Sequence, residues 1–372
     1  MAGALRVLQL YPKEDYFTGA AIQLRELVLG LHARGHDVAV ATRPNAIWPA
    51  KMRAAGITHY ALPMASEVDL RTVRRLVRIL RERRVQVVHA QKGKARTLAM
   101  LAGLFVRIPV LILNRGVSFP LDSFNRLGYT TKRVTAIVAV CESIKRGLVA
   151  QGVDAGKIEV IYSGTDTDRF HPGVDGTGIR RELGLGPEHF LITQVGIRSW
   201  RGNDDVLDAM TVVADRLPQA RLLFVGANDA KARILYQKAE ARKLGDRVSV
   251  FLLREDIPEI LRASDVTVDA SYAGLGLTGS LRESLAVGTP VIGTDLEGIP
   301  ELVRHGQTGL LVRPRDCTGL ADALLTVASD PDRARAMGRA GRALVERDFS
   351  TRAKVDRTEA LYRRLVAARG AA

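Results

Sequence analysis

The chain has 372 residues, of which 47% are hydrophobic and 26% charged, and this length exceeds what one ordinary hydrophobic core requires. The composition excludes a disordered chain, and two cysteines, Cys141 and Cys317, are too few for a disulfide framework and favour a reducing compartment. The net charge of +15 is concentrated in residues 1–170, where 26 Lys and Arg oppose 13 Asp and Glu. Residues 171–372 are nearly balanced, with 29 Lys and Arg against 27 Asp and Glu. The excess positive charge of the first half therefore indicates an anionic partner for that half.

Short β-branched runs alternate with helical segments through the first half of the chain. The runs lie at residues 6–10, 37–41, 85–90, 110–113 and 136–140. Their continuous hydrophobicity is typical of parallel strands buried on both faces. Helices are predicted between them, notably at residues 21–33 and 70–83. We expect no signal peptide, because the apolar stretch in MAGALRVLQLYP is too short and no cleavage site follows it. We expect no membrane span either, because Arg107 and Pro109 interrupt the longest apolar run.

The same alternation begins again after residues 163–178, a stretch rich in Gly, Pro and Asp that is typical of a connection between domains. Further strands are predicted at residues 190–195, 221–225, 247–252, 265–269 and 289–294. Residues 318–368 are predicted to be helical. The pattern therefore predicts an α/β fold of two doubly wound, Rossmann-like domains in series, facing a cleft.

Four sequence blocks, taken in order, resemble the retaining glycosyltransferases of family 4, which have the GT-B fold. The blocks are IVAVCESIKRGLVAQGV with KIEVIYSGTDTDRFHP, RSWRG, REDIPEILRASDV and LRESLAVGTPVIGTDLEGIPELV. The resemblance covers nearly the whole chain. It implies an acceptor-side domain at residues 1–170, a nucleotide-sugar-binding domain at residues 171–351, and a last helix at residues 352–372 that crosses back to the first domain.

The resemblance also implies an activity: a metal-independent, retaining transfer of a sugar from a nucleotide diphosphate sugar, with no cofactor. The segment GLTGSLRES would contribute to the donor site. A loop that leads into a helix offers free N–H groups to a diphosphate, here near Leu277, Thr278 and Gly279. One helical turn further, Glu283 matches the second glutamate of the family's paired-glutamate motif, which is expected to bind the ribose hydroxyls.

Arg198 and Arg201 follow the predicted strand at residues 190–195. The resemblance implies that this pair is catalytic and contacts the donor pyrophosphate, because fixed cations stabilise the charge of the departing diphosphate. Two positions depart from the family pattern. Leu275 replaces the first glutamate of the motif, and the region of Arg115 lacks the histidine that many relatives carry. These departures leave the donor sugar and the activity open.

Gly274, Gly276 and Gly279 also form a G-x-G-x-x-G pattern, with Asp295 about twenty residues further on. This pattern alone is typical of an NAD-dependent dehydrogenase. However, residues 270–273 separate it from the predicted strand, so a dehydrogenase is the least favoured function. A nonhydrolysing sugar-nucleotide epimerase and an inactive nucleotide-sugar-binding subunit also remain open.

Three residues of the first half are candidates for the cleft. Gly19 lies between the first strand and the first helix, where a missing side chain lets the backbone approach the donor, although a plain tight turn is a nearly equal interpretation. His89 ends a predicted strand and Arg115 follows the next one, at the edge where α/β proteins bind ligands. Both are assigned to the acceptor side, although a buried structural histidine is an equally good interpretation of His89.

The helix predicted at residues 70–83, together with Arg84, has a strongly basic face. The face comprises Arg71, Arg74, Arg75, Arg78, Arg81, Arg83 and Arg84. An anionic membrane attracts each such residue by about 1 kcal/mol. With the resemblance, this predicts a cytoplasmic enzyme in peripheral contact with the inner membrane face. The alternative interpretation is that the helix packs on the sheet through its apolar stripe and that the arginines are merely solvated. The predicted acceptor of the enzyme is a cell-envelope glycan or glycolipid, such as a lipid-linked sugar of the lipopolysaccharide type.

Two further partner classes are not expected. No recognised nucleic-acid motif or set of stacking aromatic residues is present, so nucleic acid is not predicted as a partner. Asp166 and Asp168 mimic a metal-binding Asp-x-Asp motif. They lie in the connection between the domains, where such residues serve turns, and no other cluster has metal-ligand spacing.

Overall fold

The computed structural model describes residues 3–273 and 276–370, and at residues 123–125 the backbone alone. The chain divides into two compact units. We call them the N-terminal unit (Met1–Gly164 with Thr351–Ala372) and the C-terminal unit (Thr165–Ser350). The two ends of the C-terminal unit are paired, because Thr165 forms a parallel β-bridge with Ser350. The boundaries expected at residues 170 and 351 lie slightly after these divisions.

The N-terminal unit is built on a parallel sheet formed by the hydrophobic runs of the first half. Its strands are β1 (Arg6–Tyr11), β2 (Asp37–Thr42), β3 (Thr58–Ala61), β4 (Val87–Ala90), β5 (Val110–Arg115), β6 (Ala136–Ala139) and β7 (Ile158–Val160). Its helices include α1 (Gly19–Ala33), α2 (Ile47–Ala54), α3 (Leu70–Glu82), α4 (Gly93–Ala102), α5 (Ser123–Thr130) and α6 (Glu142–Ala150). Within the described residues, the seven strands follow the order β3-β2-β1-β4-β5-β6-β7.

The C-terminal unit repeats this plan with a second parallel sheet. Its helices are α7 (Thr177–Glu182), α8 (Asn203–Arg216), α9 (Asp229–Ala241), α10 (Ile257–Ala263), α11 (Gly279–Ala286), α12 (Ile299–Leu302), α13 (Cys317–Ser329) and α14 (Pro331–Leu344). Its strands are β8 (Phe190–Val195), β9 (Ala220–Val225), β10 (Val248–Phe251), β11 (Val266–Asp269), β12 (Val291–Thr294) and β13 (Leu310–Val312). In the part of the chain that the structure describes, their order is β10-β9-β8-β11-β12-β13.

The predicted α/β class and the two doubly wound parallel sheets are confirmed. The sequence patterns missed β3, β7 and β13, which lie at the edges of their sheets. Edge strands are covered less completely than central ones, so their residues need not be uniformly apolar. In β3, for example, Thr58 is exposed and the following three residues are only half-buried.

The last helix, α15 (Thr351–Gly370), belongs to the N-terminal unit. Val355 and Tyr362 are buried in the same core as side chains of β1 and α1. A Cβ on Gly30 of α1 would lie 2.6 Å from Val355 Cγ2, so the two helices approach closely at this glycine. The Tyr362 hydroxyl lies 2.6 Å from His89 Nδ1. The helix is therefore held by both apolar and polar contacts in the interior.

A cluster of charged residues also holds α15. Glu359 accepts hydrogen bonds from Arg34 and Arg363, both at 2.8 Å, and lies 3.1 Å from His36 Nε2. His36 Nδ1 accepts the amide N–H of Leu5, so the ring proton is on Nε2. Burial alone would raise the pKa of Glu359. The contacts with Arg34, Arg363 and His36 outweigh burial and lower the pKa to about 2.

We expect Glu359→Gln to remove an acid-sensitive contribution to stability. Because the folded chain lowers the pKa of Glu359 from 4.5, the contribution is complete above that pH and is lost as the pH falls toward 2. Between pH 7 and pH 3, the wild-type N-terminal unit should lose about 1–2 kcal/mol more stability than the variant.

Urea unfolding followed through the fluorescence of the buried Trp48 measures this difference in a Trp200→Phe background. Glu159→Gln is the matched control. Glu159, in β7, is the ion-pair partner of Arg364, which lies at an exposed position of α15. This control should follow the wild type. If wild type and Glu359→Gln lose stability equally on acidification, the ionised Glu359 does not fasten α15.

Candidate functional site

The carboxyl edge of the C-terminal sheet contains a topological switch point. β8 and β11 are hydrogen-bonded neighbours, but the next strands, β9 and β12, lie on opposite sides of them. Loops that leave two such strands diverge and open a crevice, which is where open α/β sheets bind ligands. Residues 196–202 follow β8, and residues 270–273 and 276–278 are the described parts of the loop after β11. These two loops form the candidate site.

Close backbone packing joins the two loops. Gly196 and Gly202 have positive φ angles of 93° and 63°, which favour glycine. A Cβ on Gly202 would lie 2.2 Å from the carbonyl oxygen of Ala270, so a larger residue would displace the backbone. The amide of Tyr272 donates to the carbonyl of Trp200 at 3.0 Å. The glycine before α8 therefore sets how closely the loop after β8 approaches the loop after β11.

Arg201 is fixed in this structure by an ion pair with Asp269. Asp269 ends β11 and its side chain is fully buried, while its Oδ1 accepts the amide N–H of Ser271 at 3.1 Å. Gln194 Nε2 donates to the backbone carbonyl of Arg201 at 2.7 Å. Because a buried carboxylate is costly without a paired cation, Asp269 holds the guanidinium at the switch point.

Arg198 lies in the same loop but in a different setting. It precedes a 3₁₀ turn, Ser199–Arg201, and it is exposed. Its carbonyl accepts a hydrogen bond from Asn203 Nδ2 at 3.1 Å. Its guanidinium has no ion-pair partner in the described ranges 3–273 and 276–370. The loop thus combines one fixed cation with one exposed cation that a ligand can recruit.

Helix α11 begins directly after the second loop. Thr278 is its N-cap residue, and the side chain makes no capping hydrogen bond. The hydroxyl oxygens of Thr278 and Ser280 are buried, and neither has a hydrogen-bond partner among the described residues. Leu277 is half-buried before the cap, and Gly279 is the first helical residue. Unsatisfied hydroxyls and free helical N–H groups together favour an anionic ligand here.

Glu283 lies one turn into α11 and is half-buried. Its Oε1 would be 3.7 Å from a Cβ on Gly279, so the carboxylate lies beside the beginning of the helix. A carboxylate in this position can accept hydrogen bonds from ligand hydroxyls. Gly274 and Leu275, which belong to the glycine pattern and to the departure from the family motif, lie outside the described residues.

The structure therefore brings six of the predicted site residues to one edge of one sheet. They are Arg198, Arg201, Leu277, Thr278, Gly279 and Glu283. Their individual roles remain predictions.

The remaining candidates lie in the N-terminal unit. Gly19 is the exposed first residue of α1, after its N-cap Thr18. A Cβ there would meet no atom within 4 Å, so local packing does not require glycine. Arg115 ends β5, donates from Nη2 to the Phe119 carbonyl, and lies 5.9 Å from the ring centroid of Tyr129. Gly19 therefore leaves room for a ligand, and Arg115 lies at the carboxyl edge of the sheet.

His89 is buried inside the N-terminal unit. Its Nδ1 contacts the Tyr362 hydroxyl, and its Nε2 has no hydrogen-bond partner in the part of the chain that the structure describes. Burial, with a smaller effect of the positive charge of Lys354, lowers the pKa of His89 to about 3. The imidazole is therefore neutral at pH 7. These contacts favour the structural interpretation of His89 over direct contact with an acceptor.

Asp166 and Asp168 occupy a turn. Asp166 Oδ1 accepts the amide N–H groups of Asp168 and Arg169, both at 3.1 Å, which is the geometry of a side-chain-stabilised turn. Among residues 3–273 and 276–370, no group of three or more His, Cys, Asp or Glu side chains could hold a metal ion. Metal independence remains a prediction.

Two features of the site belong to none of the sequence motifs. Asp269 ends a predicted strand, and an acid at the end of an apolar strand is a signal of a ligand or an ion pair. Leu252 and Leu253 follow β10 at the same carboxyl edge, and Leu253 is 85% exposed. This leucine pair lies two strands from β8 along that edge, where it offers an exposed apolar surface.

The sheet order disfavours a dehydrogenase. A dinucleotide fingerprint follows the first strand of its Rossmann sheet. Here the glycine pattern follows β11, the fourth strand of the C-terminal sheet in chain order. Asp295, the expected ribose ligand, is exposed after β12. The pattern therefore lies at the wrong βα connection for that cofactor.

Family models match both units. The model described as Glycosyltransferase Family 4 matches residues 17–169, and the model described as Glycosyl transferases group 1 matches residues 190–330. The two matches together indicate a glycosyltransferase of the family 4 type. Among the described residues of this glycosyltransferase, no helix is both long enough and apolar enough to cross a membrane.

Curated relatives of the glycosyltransferase act on several substrates, as their names state. The N-acetyl-alpha-D-glucosaminyl L-malate synthase of Bacillus anthracis is 26% identical over 92% of this chain and 93% of its own length. The D-inositol 3-phosphate glycosyltransferase of Rhodococcus erythropolis is 36% identical over 47% of this chain and 42% of its own. The UDP-Gal:alpha-D-GlcNAc-diphosphoundecaprenol alpha-1,3-galactosyltransferase of Escherichia coli is 24% identical over 79% of each chain.

Solved structures share the fold. A glycosyltransferase from Rickettsia africae superimposes with a TM-score of 0.88 at 18% identity, over 97% of this chain and 99% of its own. Anabaena HepE in complex with UDP superimposes with a TM-score of 0.85 at 19% identity, over 96% of this chain and 99% of its own. At these identities the likeness shows the GT-B fold alone.

Proposed function

We propose that this glycosyltransferase moves a sugar from a nucleoside diphosphate donor to an acceptor hydroxyl, with retention and without a metal ion. The observation that carries the proposal is the pair of adjoining loops at the switch point. One loop contains Arg201, fixed by buried Asp269, and the other leads into the uncapped start of α11. The solved complex of HepE with UDP supports a uridine nucleotide as the first donor to test.

Charge stabilisation at the leaving group is the proposed source of catalysis. Cleavage of the glycosidic bond to the donor adds negative charge to the departing diphosphate. Arg201 and Arg198 supply positive charge, and the N–H groups from Gly279 onward supply dipoles, without rearrangement at the moment of reaction. The hydroxyls of Thr278 and Ser280, which lack partners among the described residues, would donate to the same phosphate oxygens.

The other parts of the donor are assigned to neighbouring side chains. Glu283 accepts hydrogen bonds from the two ribose hydroxyls, because a carboxylate has two oxygens that can each accept one. The exposed Leu252 and Leu253 cover one face of the base.

We propose a cell-envelope glycan or a lipid-linked sugar, of the lipopolysaccharide type, as the acceptor. The name of the galactosyltransferase relative contains a diphosphoundecaprenol acceptor, which supports this class. The names of the other two relatives contain L-malate and inositol 3-phosphate. All three acceptors are anionic at neutral pH, in keeping with the basic first half of the chain.

Peripheral contact with the cytoplasmic membrane face is proposed through α3. Its buried side places Val73, Leu76 and Leu80 in the core of the unit. Its other side exposes a set of arginines without ion-pair partners among the described residues: Arg71, Arg74, Arg75 and Arg78. An anionic lipid surface attracts such a face more strongly at low salt than at high salt.

A thermal-shift panel tests the proposed donor class. We expect one nucleoside diphosphate sugar series, UDP sugars first, to raise the melting temperature by about 3–6 °C at saturating concentration. The shift should be the same with and without EDTA, since the site is proposed to work without a metal. Stabilisation by NAD alone, or a shift that EDTA abolishes, would contradict the proposal.

Product analysis of the same preparation distinguishes a glycosyltransferase from an epimerase and from an inactive binding subunit. A glycosyltransferase needs an acceptor for turnover beyond slow donor hydrolysis. An epimerase would convert the nucleotide sugar with no acceptor present. A binding subunit would show the thermal shift but no turnover with any donor and acceptor pair.

A further inference from the structure

A row of cations lies along the carboxyl edge of the N-terminal sheet. Each member ends or closely follows one of four adjacent strands, in the order β2, β1, β4 and β5: Arg43, Lys13, Lys92 and Arg115. The register of the three pairings brings these strand ends to nearly the same level. With strands about 4.8 Å apart, the row is about 14 Å long. It crosses the switch point between β1 and β4, where this sheet would bind a ligand.

Few negative charges balance the row. Arg43 Nη1 lies 3.9 Å from Glu14 Oε2, and this ion pair is weak because both side chains are exposed. Lys13 and Lys92 have no ion-pair partner within residues 3–273 and 276–370. Asp15 is close enough to act on Lys92, but its Oδ1 already accepts the hydroxyls of Tyr11 at 2.6 Å and of Thr18 at 2.5 Å.

Lys92 is the most informative member of the row. It is half-buried, and it precedes α4 as an N-cap residue without a side-chain capping bond. Burial, followed by the positive charge of Lys13, lowers the pKa of Lys92. A partly desolvated ammonium beside a second cation and the free N–H groups of a helix is stabilised by an anion.

We infer that the acceptor carries a phosphate group, which Lys92 and Lys13 bind at the start of α4. Arg43 and Arg115 extend the site on either side, so that a diphosphate can also be held. This inference rests on the proposed function, because it assigns the acceptor of that reaction. It makes the phosphate, soluble or lipid-linked, a determinant of specificity in the N-terminal unit.

Lysine acetylation of the full chain, read by mass spectrometry, tests the inference. Saturating UDP is added first to fill the donor site, and inorganic phosphate is then compared with chloride at equal ionic strength. We expect phosphate to slow acetylation of Lys92 and Lys13 by about threefold or more. Lys51, exposed on α2, is the internal control and should not change.

Variants and a second probe complete the test. Lys92→Gln should remove the protection of Lys13, whereas Lys92→Arg should retain it. Vesicles of phosphatidylcholine with phosphatidic acid replace phosphate in a parallel arm. Protection by the vesicles alone assigns a lipid-linked phosphate, and protection by phosphate assigns a soluble one.

Equal labelling of Lys92 with phosphate, vesicles and chloride would overturn the inference. UDP binding is measured separately by thermal shift. If UDP did not bind, the proposed donor site would be wrong, but the phosphate site at the cation row would not be affected.

Discussion

Replacement of Arg201 by Met is expected to lower kcat/KM for sugar transfer by about a hundredfold or more, because it removes fixed positive charge from the leaving diphosphate. It should also destabilise the C-terminal unit by about 3 kcal/mol or more, since Asp269 is left buried without its cation. Steady-state kinetics and urea unfolding measure the two effects on the same preparation.

Matched variants separate these two effects. Arg201→Met with Asp269→Asn removes both charges, so it should recover much of the stability and none of the activity. Arg198→Met removes an exposed guanidinium of the same loop, so it should lower activity with little change in stability. If Arg201→Met retained full activity, the leaving group would not be stabilised by this residue.

Glu283→Ala is expected to weaken binding of the donor nucleotide by about 10- to 100-fold, which corresponds to loss of charge-assisted hydrogen bonds worth about 1.5–3 kcal/mol. Isothermal titration with UDP measures the change directly. The folded stability should change little, because the carboxylate is only half-buried at the surface of α11.

Glu240→Ala is the control for Glu283→Ala, since Glu240 is an exposed helical glutamate in α9 of the same unit. It should bind UDP as the wild type does. Deoxyuridine diphosphate provides a second comparison, because it lacks one ribose hydroxyl. The difference in affinity between wild type and Glu283→Ala should be smaller for deoxyuridine diphosphate than for UDP. Equal affinities of both variants for UDP would remove Glu283 from the ribose site.

The central part of each sheet could be predicted because its strands are buried on both faces and are therefore continuously apolar. The edge strands could not, since partial exposure removes that pattern: Thr58 begins β3 exposed, and β13 has three residues. The sequence predicts the connection between the domains at residues 163–178, and the C-terminal unit spans Thr165–Ser350.

The members of the candidate site could be named from local motifs, but their partners could not. Arg201 and Asp269 are far apart in sequence and meet only because β8 and β11 are neighbours. Likewise, His89 lies near the end of β4, where ligands often bind, but its Nδ1 contacts the Tyr362 hydroxyl of the last helix. The cation row required the strand order of the N-terminal sheet, because its members belong to four separate connections.

Hydrogen–deuterium exchange of the full chain with and without saturating UDP tests the donor site most directly. We predict slower exchange at residues 196–202 and 276–286, the loop after β8 and the start of α11, with smaller changes elsewhere in the C-terminal sheet. Bound UDP that leaves both segments unchanged, while protecting others, would contradict the assignment of the phosphate site to this switch point.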